Sequence, residues 1–192
     1  MKSLVRELAE NRLTRSAPTV AMACDWHATI HSGLNLPDSY YAGNIRDSDP
    51  KYPCLIGYEV VVAQAAGVAS AEVPDALTRF ERQLQAAIAD ADSQVALGSA
   101  PTDPATLQSI VQLAATIHGE WVRIQPFANA NGRTARIWAN WCALRFGLPP
   151  FVRLRPRPTQ PSYGTAAMAS MLGDHGPMGR VFLDMLHTYH HP

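Results

Sequence analysis

The segment 123–136, RIQPFANANGRTAR, concentrates hydrogen-bonding side chains between two long stretches of apolar periodicity. The second stretch begins near Asn131, and the first turn of a helix offers unpaired N–H groups and a partial positive charge. Gly132 allows a ligand to approach the backbone closely, and Arg133 adds a planar fork of donors. Arg136 lies three residues further along the same helix face. These residue types at this spacing predict a phosphate-binding site.

A simpler interpretation of the same residues needs no ligand. Asn is a favoured N-cap residue, so Asn129 or Asn131 would cap the helix. Arg133 and Arg136 would then form salt bridges at the surface. The local sequence leaves both interpretations open.

Helices on both sides would position this segment. Asp103 and Pro104 are an N-cap and a first-turn proline, and an apolar stripe from Leu107 to Ile124 predicts five helical turns. A second helix is expected from Asn131 until Gly147 and the following prolines end it. Further helices are predicted over 2–12, over 18–32, from Pro74 onward, near 161–172 and near 177–190.

Two other segments break the helical pattern. Residues 33–53 are rich in Gly, Pro, Asn, Asp and Ser and predict a long loop, which in a compact domain is often functional. Residues 55–73 contain the one convincing β-branched run, with Gly67 near its middle, and predict a short hairpin. The fold class predicted from the residues is therefore mainly α.

Composition excludes several classes of protein. The chain has 192 residues, 47% hydrophobic, and its 16 basic residues balance 16 acidic ones. This describes one globular domain over 1–192, with no overall field that would attract nucleic acid or an anionic membrane. Any anion site must be local.

The N-terminus and the cysteines are equally ordinary. MKSLVRELAENRL lacks the apolar core of a signal peptide, and no apolar run approaches a membrane span, so we expect a cytoplasmic protein. Cys24, Cys54 and Cys142 are odd in number and widely spaced, which indicates packed thiols rather than disulfides or a zinc site.

The central segment resembles the signature of the Fic (Fic/Doc) family, His-Pro-Phe-x-Asp/Glu-Gly-Asn-Gly-Arg-x-x-Arg. WHATIHSGLNLPDSYYAGNIRD is similar to the family's upstream helix and Ala-Gly-x-x-Arg segment, and YGTAAMASMLGDHGPMGRVFLDML to its C-terminal helices. The residues in register with the signature are Pro126, Phe127, Asn131, Gly132, Arg133 and Arg136.

The resemblance implies both a fold and an activity. It implies a compact Fic-type helical bundle with a small β-hairpin flap, which would dock a protein target at 55–73. It also implies transfer of AMP from ATP to a protein hydroxyl, with Mg²⁺ on the phosphates. Asn131, Gly132 and Arg133 would cradle the phosphates, Arg136 would be a further phosphate ligand, and Phe127 would anchor the loop in the core.

Two departures from the signature affect the chemistry. Gln125 stands at the position of the catalytic histidine, and a carboxamide cannot act as a general base. Such a base contributes about 10²–10⁴ in rate. Asn129 replaces the acidic residue that holds magnesium, so the resemblance implies only weak metal binding there. Asn129 and Ala130 are similar to the Asn-Ala-Asn-Lys-Arg of the Doc branch, whose members phosphorylate their target, but Gly132 replaces its Lys.

The sequence does not choose a substitute for the missing base. His118 precedes Gln125 by seven residues, about 10 Å along the helix, and is expected to pack within the bundle. The carboxylates of the loop and the flap are further candidates that would otherwise be solvated: Asp47, Glu59 and Glu72.

The N-terminal helix partly matches an inhibitory pattern of the family. Glu10 and Asn11 end a Ser/Thr-x-x-x-Glu-Gly/Asn sequence whose glutamate would pair with the second signature arginine, but Arg6 occupies the hydroxyl position. Ser3 and Glu7 have the same spacing, but Leu8 follows them. An ordinary solvated helix face is the alternative.

Two functions are therefore compatible with the sequence. The first is a transferase that moves a phosphate-containing group from a nucleotide or another phosphate donor without the usual histidine. The second is a degenerate Fic domain that binds a nucleotide or a protein partner and catalyses nothing.

Overall fold

A computed structural model describes residues 6, 8, 10 and 14–190. Their architecture is mainly α, as predicted, with short 3₁₀ turns in the connections. The two strands are β1 (Val61–Val62) and β2 (Ala65–Ala66). The helices are α1 (Val20–His31), α2 (Val73–Gln94), α3 (Pro104–Ile124), α4 (Asn131–Arg145), α5 (Pro161–Met171) and α6 (Gly176–His190).

Helix α3 is the centre of the bundle, and it packs against α2, α4, α5 and α6. Its start follows the prediction, because the Asp103 carboxylate accepts a hydrogen bond from the Thr106 N–H at 2.9 Å. Its end is set by Gln125, which adopts a left-handed conformation with φ +53°. The chain therefore leaves α3 abruptly at the residue that replaces the signature histidine.

Buried aromatic residues fix α3 against α4. Trp121 of α3 and Trp138 of α4 are fully buried, and their rings lie 5.9 Å apart. The Trp26 ring of α1 meets Trp138 edge-on at 4.7 Å. Aromatic pairs in such geometries stabilise a core beyond the area they bury. The loop between α3 and α4 therefore connects two helices that pack closely against each other through buried aromatic side chains.

The predicted hairpin is present but shorter than the predicted segment. Strands β1 and β2 pair antiparallel, Val61 with Ala66 and Val62 with Ala65. Ala63 and Gln64 both have positive φ, +45° and +74°, as a type I′ turn requires. Gly67 lies beyond the strands. We call residues 57–68, which include this hairpin, the flap.

The helix predicted over 2–12 is only partly described by the structure. Arg6, Leu8 and Glu10 are helical, in agreement with a helix over 2–12, whereas the other residues of that helix lie outside the described part of the chain. Among the described residues, none of the helices has the length and apolar character needed to cross a membrane.

Candidate functional site

A cleft of about 480 Å³ lies at the start of α4, and the flap residues Val60, Val61 and Val62 form one of its walls. Its lining, within the described part of the chain, contains no Asp or Glu side chain. The predicted site residues that line it are Gln125, Asn129, Asn131, Gly132 and Arg136. The structure therefore brings together most of the residues that the sequence singled out. Arg133 is half-buried on the first turn of α4 and is not among the lining residues.

The loop before α4 is held by Asn131. Its side-chain oxygen accepts from the Phe127 N–H at 2.8 Å, and its amide nitrogen donates to the Phe127 carbonyl at 2.7 Å. Ala130 is the N-cap residue, with φ +57° and no side-chain cap, so the interpretation of Asn129 or Asn131 as a cap is wrong. The side-chain amide of Asn131 thus shapes the loop, and the backbone N–H groups of Asn131 and Gly132 belong to residues that line the cleft. Neither N–H has a partner among the described residues.

Phe127 and His27, a residue for which the sequence predicted no role, hold the loop against the core. Phe127 is fully buried, and its ring stacks on His27 of α1 with centroids 3.8 Å apart. The His27 Nδ1 accepts from the Gly43 N–H at 2.9 Å, so Nε2 carries the proton and donates to the Asn129 carbonyl at 3.1 Å. Burial lowers the pKa of His27 to about 4, which keeps the imidazole neutral.

We expect acid to destabilise the protein through His27. The unfolded chain takes up this proton near pH 6.5, the folded chain only near pH 4. His27 therefore has no pH-dependent effect on the free energy of unfolding above about pH 6.5. As the pH decreases toward 4, protonation of the unfolded chain lowers this free energy, by at most about 3 kcal/mol. Urea unfolding across this window should show the decline, and His27→Gln should reduce it to the part that the buried His118 contributes. A wild-type free energy of unfolding that is constant over the window would contradict neutral burial.

A second residue that sequence reasoning did not select, Arg46, joins the loop to the flap. Arg46 is fully buried, and its backbone N–H donates to the Pro126 carbonyl at 2.9 Å. Its guanidinium donates to four backbone carbonyls at 2.6–3.2 Å, and burial lowers its pKa. These acceptors belong to Gln125, Ile124, Tyr58 and Val68. Arg46 thereby positions the end of α3, the start of the loop and both ends of the flap.

The Gln125 side chain lies directly beneath the flap. A Cβ atom placed on Gly67 would come within 2.8 Å of the Gln125 Cβ, so the absence of a side chain at Gly67 permits this approach. Gln125 is 5% exposed, and its Nε2 donates to the Met171 Sδ at 3.6 Å. The position of the family's base is therefore filled by a packed group that does not titrate.

None of the candidate bases named from the sequence takes over that position. The fully buried His118 forms a 2.9 Å hydrogen bond to the Tyr163 hydroxyl, and burial lowers its pKa to about 3. Asp47 accepts from Ser70 and Gly57, and the Glu59 carboxylate accepts from the Ser70 N–H and lies 3.7 Å from Arg46. These contacts pin the base of the flap. None of the candidate bases, Asp47, Glu59, Glu72 and His118, lines the cleft.

Arg136 is a buried cation with no counter-ion among the described residues. It is 6% exposed, its Nη2 donates to the Leu154 carbonyl at 3.1 Å, and its Nε has no partner among the described residues. Neither Arg136 nor Arg133 pairs with a carboxylate in the described chain, so the interpretation as surface salt bridges is wrong. Burial, with repulsion from Arg155 and Arg136, lowers the pKa of Arg133.

Asn129 is a poor fit for a magnesium ion. Its side-chain oxygen accepts a hydrogen bond from the Ala130 N–H at 2.6 Å, and it is neutral. The described residues contain no group of three or more His, Cys, Asp or Glu side chains that would hold a metal. Mg²⁺ prefers carboxylate and phosphate oxygens. The residues present therefore do not form a protein-based magnesium site.

Glu10 does not reach the cleft. Its side chain is 65% exposed and lies 3.5 Å from Arg6. Glu10 and Arg136 are both described, and no ion pair joins them. The contact that inhibition by Glu10 requires is absent from this conformation. Ser3 and Glu7, the alternative match, lie outside the described residues.

Residues 18–143, more than half of the chain, match the model of the Fic/DOC family. The chain belongs to this family. The matched range contains the cleft's loop, the flap and the two residues that organise them, Arg46 and His27. The Fic/DOC resemblance of the central segment is thereby confirmed.

Two curated proteins illustrate the similarity of this Fic/DOC chain to known transferases. A uridine 5′-monophosphate transferase of Xanthomonas campestris pv. campestris is 48% identical over 40 residues, which cover 21% of this chain and 8% of that protein. Protein adenylyltransferase fic-1 of Caenorhabditis elegans is 36% identical over 70 residues, 36% of this chain and 13% of that protein. The matched segments thus span only a small part of these curated relatives.

A solved structure shares the overall fold. The BepC protein of Bartonella tribocorum, crystallised with AMPPNP, superposes with a TM-score of 0.55 at 18% identity. The match covers 95% of this chain and 81% of BepC. This agreement confirms the compact Fic-type helical bundle with its small flap.

Proposed function

We propose that the chain is a Fic-type nucleotidyl transferase with weak or altered activity. It binds a nucleoside triphosphate at the NANGRxxR loop and transfers AMP or a similar phosphate-containing group to an acceptor. The transferase names of two relatives and the AMPPNP bound to BepC support this class of reaction. The observation that carries the proposal is the uncompensated Arg136.

A buried guanidinium without a counter-charge is costly unless a bound anion completes it. A Cβ atom on Gly132 would lie 3.6 Å from the Arg136 Nη1, so this cation is close to the N-terminus of α4. There the N–H groups of Asn131 and Gly132 add two donors and the helix adds a partial positive charge. A phosphate group fits this combination, with Arg133 as a further ligand.

Transfer requires a bond between the acceptor oxygen and the α-phosphorus. The bond from that phosphorus to the bridging oxygen breaks, and pyrophosphate leaves. Hydrogen bonds from arginine side chains stabilise the negative charge that develops on the phosphates during transfer. A hydroxyl acceptor must also lose its proton, and Gln125 can hydrogen-bond the hydroxyl but cannot take that proton. A carboxylate or phosphate acceptor needs no such step.

The flap offers a surface for a protein acceptor. Val61 and Val62 on the strands are 63% and 40% exposed, and Ile56 and Tyr58 before them are 46% and 38% exposed. Contiguous exposed apolar residues beside a short strand edge are typical of a protein-docking site. Docking of a target at 55–73 is therefore part of the proposal.

A degenerate binding module is the second candidate. It is favoured by the contact of the Gln125 amide with Met171 and by the lack of a His, Asp or Glu side chain among the described residues that line the cleft. A module that binds a nucleotide differs from the transferase only in turnover, whereas a module that binds only a protein partner would bind no nucleotide.

Calorimetric titration of ATP and UTP into the wild type and Arg133→Ala tests nucleotide binding at the NANGRxxR loop. We expect the wild type to bind and the variant to lose about tenfold to a hundredfold in affinity, since a charge-assisted contact contributes about 1.5–3 kcal/mol. The Arg133 side chain makes no hydrogen bond within the described chain, so its removal should leave the fold intact.

Arg153→Ala is the matched control, because Arg153 is exposed and borders a different cleft, near Asp184. Its affinity should equal that of the wild type. Equal binding by all three proteins, or binding by none, would refute the assignment of the phosphate cradle.

A further inference from the structure

The phosphate charge of a nucleotide in this cleft needs a neutralising partner. In most phosphate-transfer sites a divalent cation held by carboxylates supplies it. Here Asn129 is neutral and its oxygen is occupied by the Ala130 N–H. The cleft lining, in the described part of the chain, includes no Asp or Glu. Another source of positive charge is therefore required.

Two arginines of the segment between α4 and α5 are placed to provide it. Arg157 lines the same cleft as Arg136. Its guanidinium lies 5.6 Å from the centre of the Tyr163 ring, which also borders the cleft. Arg155 directly follows Leu154, whose carbonyl accepts the Arg136 Nη2 hydrogen bond at 3.1 Å, and its repulsion lowers the Arg133 pKa. Arg155 and Arg157 are both exposed.

These four arginines are gathered without acidic partners. No ion pair within the described residues involves Arg133, Arg136, Arg155 or Arg157, whereas other arginines, such as Arg145, pair with carboxylates. Clustered like charges destabilise the empty protein, and a polyanion reverses that effect. The buried Arg136, with its unpartnered Nε, faces the same space.

We propose that Arg155 and Arg157 complete, with Arg133 and Arg136, a polyphosphate site that binds a nucleoside triphosphate without a divalent metal. This inference rests on the proposed nucleotide-binding function and extends it to residues outside the family signature and outside the matched range 18–143. The guanidinium forks bind the β- and γ-phosphates in place of the cation. Mg²⁺ bound to the nucleotide then neutralises part of the phosphate charge and so weakens the attraction of the nucleotide to the arginines.

The test is calorimetry of ATP, AMP and inorganic pyrophosphate, each in EDTA and in Mg²⁺. The wild type should bind ATP in EDTA at least as tightly as in Mg²⁺. Arg155→Ala/Arg157→Ala should weaken binding of ATP and pyrophosphate in EDTA by about tenfold to a hundredfold, with little effect on AMP. Arg155→Lys/Arg157→Lys should recover part of the loss, because it keeps the charge but not the fork. Arg153→Ala, from the same segment, should behave as the wild type.

The outcomes separate this inference from the proposed function. ATP binding that strictly requires Mg²⁺ and is unchanged in the double alanine variant overturns the arginine site but leaves nucleotide binding standing. Pyrophosphate binding that depends on Arg155 and Arg157, without any nucleotide binding, refutes the proposed function and overturns a nucleoside triphosphate as the ligand of the arginines. Binding of neither ligand by a folded wild type, checked by circular dichroism, overturns both.

Discussion

Gln125→His should create or raise transfer of AMP from ATP by about 10²–10⁴-fold, the usual contribution of a general base. The substitution places an imidazole, with a pKa near neutrality, at the position where the family removes the acceptor's proton. Histidine tolerates the left-handed conformation of this residue. Its Cβ and Cγ can occupy the space beside Gly67 that those of Gln125 fill. The measurement is transfer of labelled AMP to the protein itself or to lysate proteins.

Two control variants test whether the gain requires both the new base and the phosphate cradle. Gln125→His/Arg133→Ala should lose the gain, because the base is present but the phosphate cradle is damaged. Gln125→Ala should transfer no more AMP than the wild type, since neither has a base at this position. A Gln125→His variant that binds ATP but transfers nothing would favour the binding module. Strong transfer by the wild type would show that any base comes from elsewhere.

Arg46→Ala should produce the largest loss of stability, about 3–5 kcal/mol, because it removes a buried charged group and leaves its hydrogen-bond acceptors unsatisfied. The loss would fall on the end of α3 and on both ends of the flap. Urea unfolding measures it, and nucleotide affinity should fall as well because the loop loses its support.

Arg79→Ala is a matched control, because Arg79 is an exposed arginine of α2. Its unfolding free energy should stay within about 0.5 kcal/mol of the wild type. Arg46→Lys should be intermediate, since one ammonium cannot reach all four carbonyls. If Arg46→Ala unfolded at the same denaturant concentration as Arg79→Ala, the role of Arg46 in holding the flap would be wrong.

Local sequence patterns predicted the elements that carry the site. The apolar stripe of α3, its Asp103 cap and the start of α4 at Asn131 were all visible in short windows, because periodicity and capping act within a few residues. The flap was harder to predict because its strands contain only two residues each. Its extent depends on packing against Gln125 rather than on β-propensity.

The residues that support the loop were not predictable in this way. His27 bonds Asn129 across 102 positions, and Arg46 bonds Gln125 across 79. No local pattern reports contacts at such separations. The positive φ of Ala130 opposes the usual preference of alanine, so the sequence suggested an Asn cap instead. That conformation arises from the two hydrogen bonds between Asn131 and Phe127.

A crystal structure with a non-hydrolysable ATP analogue would show whether the start of α4 and the buried Arg136 form a phosphate cradle next to a position without a base. We expect phosphate oxygens within hydrogen-bond distance of the Gly132 N–H and the Arg136 Nε, with Gln125 as the side chain closest to the α-phosphate on the flap side. A nucleotide bound in another cleft, or phosphates that leave the Arg136 Nε without a partner, would contradict it.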